Sequence, residues 1–203
     1  MHLAAKPISL PGPIYLLTTA SALFNVHSQS IENQLKFDAL ALRCVGRRRP
    51  SRTDLRGLRV TKQDLKGRWK IVSWSQEYDD GRRAFPFGKA LEGFIEYGEE
   101  TMFCVITRSP RTLFASGGQW DASDADKAKA YNEYLTYAGG YDFDGEFVTH
   151  RIELCIFPNW QGSAQRRKVI RQGDDEITLV ARIEEGTSEA RTAVLAWRRD
   201  RAA

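Results

Sequence analysis

Residues 147–167, FVTHRIELCIFPNWQGSAQRR, decide the reading of this chain. They follow the turn pair Asp144-Gly145, run as a strand, break at Phe157-Pro158-Asn159-Trp160-Gln161-Gly162, and resume as a second strand from about Gln165. Alternate side chains of a strand point to opposite faces. Val148, His150, Ile152, Leu154 and Ile156 therefore share one face, and Thr149, Arg151 and Glu153 take the other. The apolar set is expected to point inward. It carries His150, the one histidine between residues 60 and 203.

The flanking sequence repeats this pattern. Leu65-Lys66-Gly67-Arg68-Trp69 leads a strand to Tyr78, with Trp69, Ile71 and Ser73 on one face. Asp79-Asp80-Gly81-Arg82 reads as a hairpin turn, because glycine accepts the positive φ of a tight turn. Short strands follow at 93–97 and 101–107, around Gly98-Glu99-Glu100, and then a loop over 108–118 that holds Phe114. After Asp144-Gly145, strands at 165–171, 177–183 and 192–199 are separated by Gly173-Asp174 and Glu185-Gly186. One helix interrupts the series. Ser123 caps it, with Asp126 three residues on, and Ala128, Tyr131, Leu135 and Ala138 fall at spacings of three and four until Gly139-Gly140. Short strands joined by turn signals predict an all-β fold, and closure into one antiparallel barrel removes exposed edges. The single helix is expected over the barrel mouth.

Charge divides the chain. Residues 1–59 carry nine Lys/Arg against three Asp/Glu, and residues 60–203 carry twenty-one against twenty-three. The sequence pI of about 9.0 thus belongs to the N-terminal segment. Its arginines lack interleaved aromatic residues, so no nucleic-acid partner is expected. Residues 1–60 show no sustained periodicity and are expected to be a poorly ordered or weakly helical extension, leaving 61–200 as the domain. The apolar run 14–26 is shorter than the roughly 20 residues of a membrane span, so no span is expected, although it faintly resembles a signal peptide. Cys44, Cys104 and Cys155 form no paired framework, which fits a reducing, cytoplasmic setting.

There is no phosphate loop, GxGxxG, HExxH or GxSxG. One histidine cannot build a His-rich metal site, and no metal or cofactor is implied. An ordered series of short motifs does stand out: Gly67-x-Trp69, Pro86-Phe87-Gly88, Gly93-Phe94-Ile95-x-Tyr97, Arg108 followed by Phe114-Ala115-Ser116-Gly117, Tyr137-x-Gly139-x-Tyr141, Val148-Thr149-His150, Phe157-Pro158-Asn159-Trp160, Gln165-x-Arg167 and Leu195-x-Trp197. Over residues 63–199 this series resembles the bacterial and fungal lipocalin-like domain family of small one-barrel proteins. The resemblance implies a calycin-type barrel with a central cavity, plugged at its closed end by Trp69 and Trp197 packed with an arginine. Most members have no assigned activity, and some occur near secondary-metabolite genes. Two departures are visible: the turn at Gly173-Asp174-Asp175 is one residue longer than the usual pattern, and Arg151 stands where many members place a second histidine.

The candidate site follows from parity and motif position. Ser73, His150 and Arg167 are expected inward, with Tyr97, Tyr137 and Tyr141 near them and Phe114 in the loop. Asn159 and Trp160 sit at the rim, fixing the loop or touching a ligand. His150 admits two readings. It is a hydrogen-bonded core residue, or the general acid/base of an isomerase, cyclase or dehydratase acting on a polyketide-like substrate, with Tyr137 and Arg167 as its helpers. Arg167 is likewise either the structural arginine of the plug or an anchor for an anion. The leading expectation is a barrel that binds a small hydrophobic or aromatic molecule.

Overall fold

The computed structural model describes residues 60–118 and 120–201. It begins with a one-turn helix, α1 (Lys62–Leu65), closed by a capping box: the Thr61 side chain accepts from the Asp64 amide, and the Asp64 carboxylate accepts from the Thr61 amide at 2.8 Å. Nine strands follow: β1 (Gly67–Tyr78), β2 (Arg83–Ala84), β3 (Leu91–Tyr97), β4 (Thr101–Arg108), β5 (Tyr134–Phe143), β6 (Phe147–Cys155), β7 (Ala164–Arg171), β8 (Glu176–Ile183) and β9 (Arg191–Arg199). Helix α2 (Asp124–Asn132) lies between β4 and β5.

Every pairing is antiparallel, and β1 pairs with both β3 and β9. Eight strands therefore close into a barrel, while β2 adds a two-residue flap to the far half of β1. The all-β antiparallel barrel expected from the turn series is the observed fold.

The turn between β5 and β6 is set by local chemistry. At the β5–β6 hairpin, Asp144 Oδ1 accepts from the amides of Glu146 and Phe147 at 2.9 and 2.6 Å, and Arg166 donates to Oδ2 at 2.9 Å. These bonds favour the carboxylate, so the Asp144 pKa falls to about 2, with the Phe147 amide the largest cause.

One end of the barrel is closed. Trp69 and Trp197 are each 1% exposed there. The Trp69 indole donates to the Leu65 carbonyl at 2.7 Å, and the Arg199 guanidinium lies 4.0 Å from the centre of its ring. Arg199 also donates to the carbonyls of Asp64 and Lys66 at 2.6 and 2.9 Å. The plug arginine is therefore Arg199, and Arg167 is free of that task.

Three expectations are corrected. Ser73 is exposed, because β1 bulges between Ile71 and Ser73: Ile71 faces Trp197, but Ser73 faces Ala196. The extra residue reverses the parity of the rest of β1. A second bulge on β6 pairs Gly139 with Ile152 but Ala138 with Leu154, leaving Leu154 68% exposed rather than inward. A side chain at Gly139 would collide there with the carbonyl oxygen of Arg151. Finally, α2 stops at Asn132 and has no buried residue. Leu135 and Ala138, assigned by spacing to its apolar stripe, belong to β5. The helix rests beside the loop before it, with Arg111 donating to the Ala130 carbonyl at 3.3 Å.

The extension expected over residues 1–60, with Cys44 and the apolar run, lies outside the described residues apart from Val60. No helix among the described residues is long and apolar enough to cross a membrane.

Candidate functional site

The end of the barrel opposite the plug opens into a cavity of about 520 Å³. Its apolar wall includes Ile106, Leu135, Ala181, Ala193 and Leu195, and its aromatic side is formed by Trp74, Phe157 and Trp160. Among its polar lining groups are Gln76, Tyr137, Gln165 and Arg167. The β1 bulge and the β6–β7 register both matter here. The one on β1 turns Trp74 and Gln76 inward opposite Leu195 and Ala193. The register of β7 against β6 turns Gln165 and Arg167 inward opposite His150 and Val148, two residues with no exposed surface.

Trp160 reaches the cavity from a one-turn 3-10 helix, Pro158–Trp160. Proline at the first position suits that turn because its missing N–H has no partner to lose. The indole packs edge-on against Phe157 and Tyr137, with centroids 5.6 and 6.2 Å away. Asn159, beside it, is exposed and does not line the cavity.

His150 lies behind this wall. It has no exposed surface and is absent from the cavity lining. Nε2 is 2.8 Å from the Tyr97 hydroxyl and Nδ1 is 3.2 Å from the Tyr137 hydroxyl. Burial lowers its pKa well below the ordinary value, and the nearby positive charge of Arg167 lowers it further. The ring is accordingly neutral at pH 7, with one nitrogen donating and the other accepting. Burial likewise raises the pKa of Tyr97 and Tyr137 far above the usual phenol range, with Arg167 acting in opposition. Cys104, also buried, is pushed up to about 12 by the same desolvation.

The expected site residues thus separate into groups. Tyr97, Tyr137, Tyr141 and His150 come together as a buried cluster, with Tyr97 and Tyr141 ring centroids 4.8 Å apart. Tyr141 donates to the Gly98 carbonyl at 2.8 Å, toward the plugged end. Tyr137 is the member shared with the cavity, which Arg167 and Trp160 also line. Phe114, 40% exposed, stands apart in a surface cleft beside α2 with Arg111 and Lys129. Ser73 and Asn159 face outward.

Sequence reasoning missed Trp74 and Gln76, whose inward placement depends on the bulge, and Leu135, which helical spacing claimed. Gln165 stood in a quoted motif without a role. Among the described residues, no cluster of three or more His, Cys, Asp or Glu side chains is placed to hold a metal ion.

A search of the curated proteins finds no match. Among solved structures, the chain is similar to a redesigned β-barrel at 11% identity and a TM-score of 0.34, covering 68% of this chain and 94% of that one. It is also similar to a de novo designed fluorescence-activating β-barrel at 13% identity and a TM-score of 0.32, covering 68% and 96% respectively. The model of the lipocalin-like domain matches residues 66–200, which takes in the whole barrel from the start of β1 to the end of β9. By that match the chain belongs to the lipocalin-like domain family.

Proposed function

We propose that this protein binds a small hydrophobic or aromatic molecule in the open end of its barrel. The carrying observation is the cavity itself. At about 520 Å³ it has the volume of a small-molecule site, with apolar and aromatic walls and a few polar groups to orient what enters. Acid–base catalysis by His150 on a polyketide-like substrate has less support, because a general acid or base must come within hydrogen-bond reach of its substrate. Both nitrogens of His150 are engaged by tyrosines, and its ring is off the cavity surface.

The test uses N-phenyl-1-naphthylamine, an uncharged aromatic probe that brightens in apolar surroundings. The wild-type protein should bind it saturably. Ala193→Phe, which projects a ring from the cavity wall, should weaken binding by about tenfold or more, equivalent to at least about 1.4 kcal/mol, while leaving cooperative unfolding intact. No saturable signal from the wild type, or an unchanged affinity in the folded variant, would overturn the proposal.

A further inference from the structure

The charged side chains around the cavity are not alike. Arg166 pairs with Asp144 at 2.9 Å, Arg182 with Asp79 at 2.8 Å, and Arg191 with Glu184 at 2.7 Å. Each is a rim arginine neutralised by its own carboxylate. Arg167 has no such pair among the described residues. Its Nη2 donates to Gln165 Oε1 at 2.6 Å, and the guanidinium also lies within hydrogen-bond reach of the Tyr137 hydroxyl. Its Nε is buried and has no acceptor among the described residues. Trp74, on the aromatic side of the same cavity, also has a buried indole Nε1 without an acceptor among the described residues.

Arg167 as a whole is half-buried; guanidinium stays charged at any physiological pH, and a charge drawn partly out of water is less costly when it is paired. Buried polar groups are nearly always satisfied, so orphaned donors call for an explanation. Both orphans here are donors, both belong to cavity-lining residues, and one carries a full positive charge. The acceptor that suits a cationic donor lining an apolar cavity is an anion with an apolar body.

We propose that the cavity takes a carboxylic acid in its ionised form, with the carboxylate held by Arg167 and the aromatic or aliphatic remainder against Leu135, Leu195, Trp74 and Trp160. The planar guanidinium suits a carboxylate, which accepts charge-assisted bonds in its plane. This inference rests on the binding reading above and narrows it to a class of ligand.

The experiment compares 2-naphthoate with 2-naphthamide, which share a shape and differ in charge, by isothermal titration calorimetry on the full chain. Wild type should bind naphthoate about tenfold or more tightly than the amide, the size expected of a hydrogen bond to a charged group. The preference should persist in 0.5 M salt, because a buried pair is weakly screened. Arg167→Met should bind the two equally, with amide affinity retained. Equal binding of both by the wild type overturns the inference and leaves the cavity reading standing. So does a preference that persists in Arg167→Met, or one that vanishes in salt. Binding of neither probe overturns the cavity reading as well. If Arg167→Met does not fold, the wild-type ratio and its salt response decide the matter alone.

Discussion

The Tyr97 hydroxyl stands 2.8 Å from Nε2 of His150, joining residues 53 apart in sequence, and the Tyr137 hydroxyl holds the other ring nitrogen at 3.2 Å. A neutral imidazole has one donor and one acceptor. One phenol must therefore donate its O–H to the bare ring nitrogen, and the other must accept from the ring N–H. All three groups are buried, and the Tyr97–His150 bond, away from the cavity lining, has no water as a ready substitute.

Replacing His150 with leucine should then cost about 2–4 kcal/mol, because the Tyr97 and Tyr137 hydroxyls each lose their bond to the ring at once. Urea unfolding measures this. The affinity of the folded variant for N-phenyl-1-naphthylamine should stay at the wild-type value. Weakened probe binding with unchanged stability would instead give His150 a part in the cavity.

The same residue should make stability depend on pH. Its folded-state pKa lies below its unfolded value of about 6.5, so below that pH the unfolded chain binds the extra proton. Stability should thus be unaffected by this group above pH 6.5. On acidification from 6.5 to 5 it should fall by as much as about 1.4 kcal/mol per pH unit. The difference in slope between wild type and His150→Leu isolates this contribution. Parallel slopes would mean that the imidazole is already protonated in the fold.

Thiol alkylation should divide the cysteines of the domain. Cys104 has no exposed surface and a pKa of about 12, so it offers neither access nor thiolate. Cys155 is only half-buried. Iodoacetamide at pH 8, followed by peptide mapping, should modify Cys155 first and reach Cys104 only at the rate of unfolding. Equal rates would indicate that the barrel opens around β4.

Trimming the N-terminus should find its limit at α1. A chain starting at Thr61 should keep the full-length melting temperature, since the cap, the buried Leu65 and the acceptors of Trp69 and Arg199 are all retained. A chain starting at Gly67 should melt at a lower temperature. Burial of one leucine is worth about 1.5–3 kcal/mol, and its carbonyl partners leave with it. Thermal denaturation of the two chains makes the comparison.

The sequence showed the barrel plainly because turns and alternation are local. Asp144-Gly145 and Gly173-Asp174 punctuate strands whatever those strands pair with. The placement of His150 was also legible, since one parity runs unbroken from Val148 to Ile152. Where alternation failed, a single inserted residue was responsible. The bulges beside Ser73 and Leu154 are facts about the neighbouring strand's register, and neither carries a glycine of its own to announce it. The overlong helix failed for another reason. Leu135 lies four residues after Tyr131 by coincidence, and the aromatic and β-branched run Tyr134, Thr136, Tyr137 favoured a strand. What closed His150 off from the cavity was the meeting of Tyr97 and Tyr137 on it from two other strands, which no local pattern encodes.

The seam of the barrel has a consequence in time. Its two sides are the first long strand and the last, and the bonds that lock it, from Arg199 to the carbonyls of Lys66 and Asp64, span 133 and 135 residues. Such contacts come late, because the entropy of closing so long a loop is lost before any of them forms. Until β9 arrives, β1 and β8 present open edges able to template pairing with another chain. During refolding this protein should be most vulnerable to aggregation in that interval, and a mutation that slows the docking of β9 should lower the yield of native protein even where the finished barrel is no less stable.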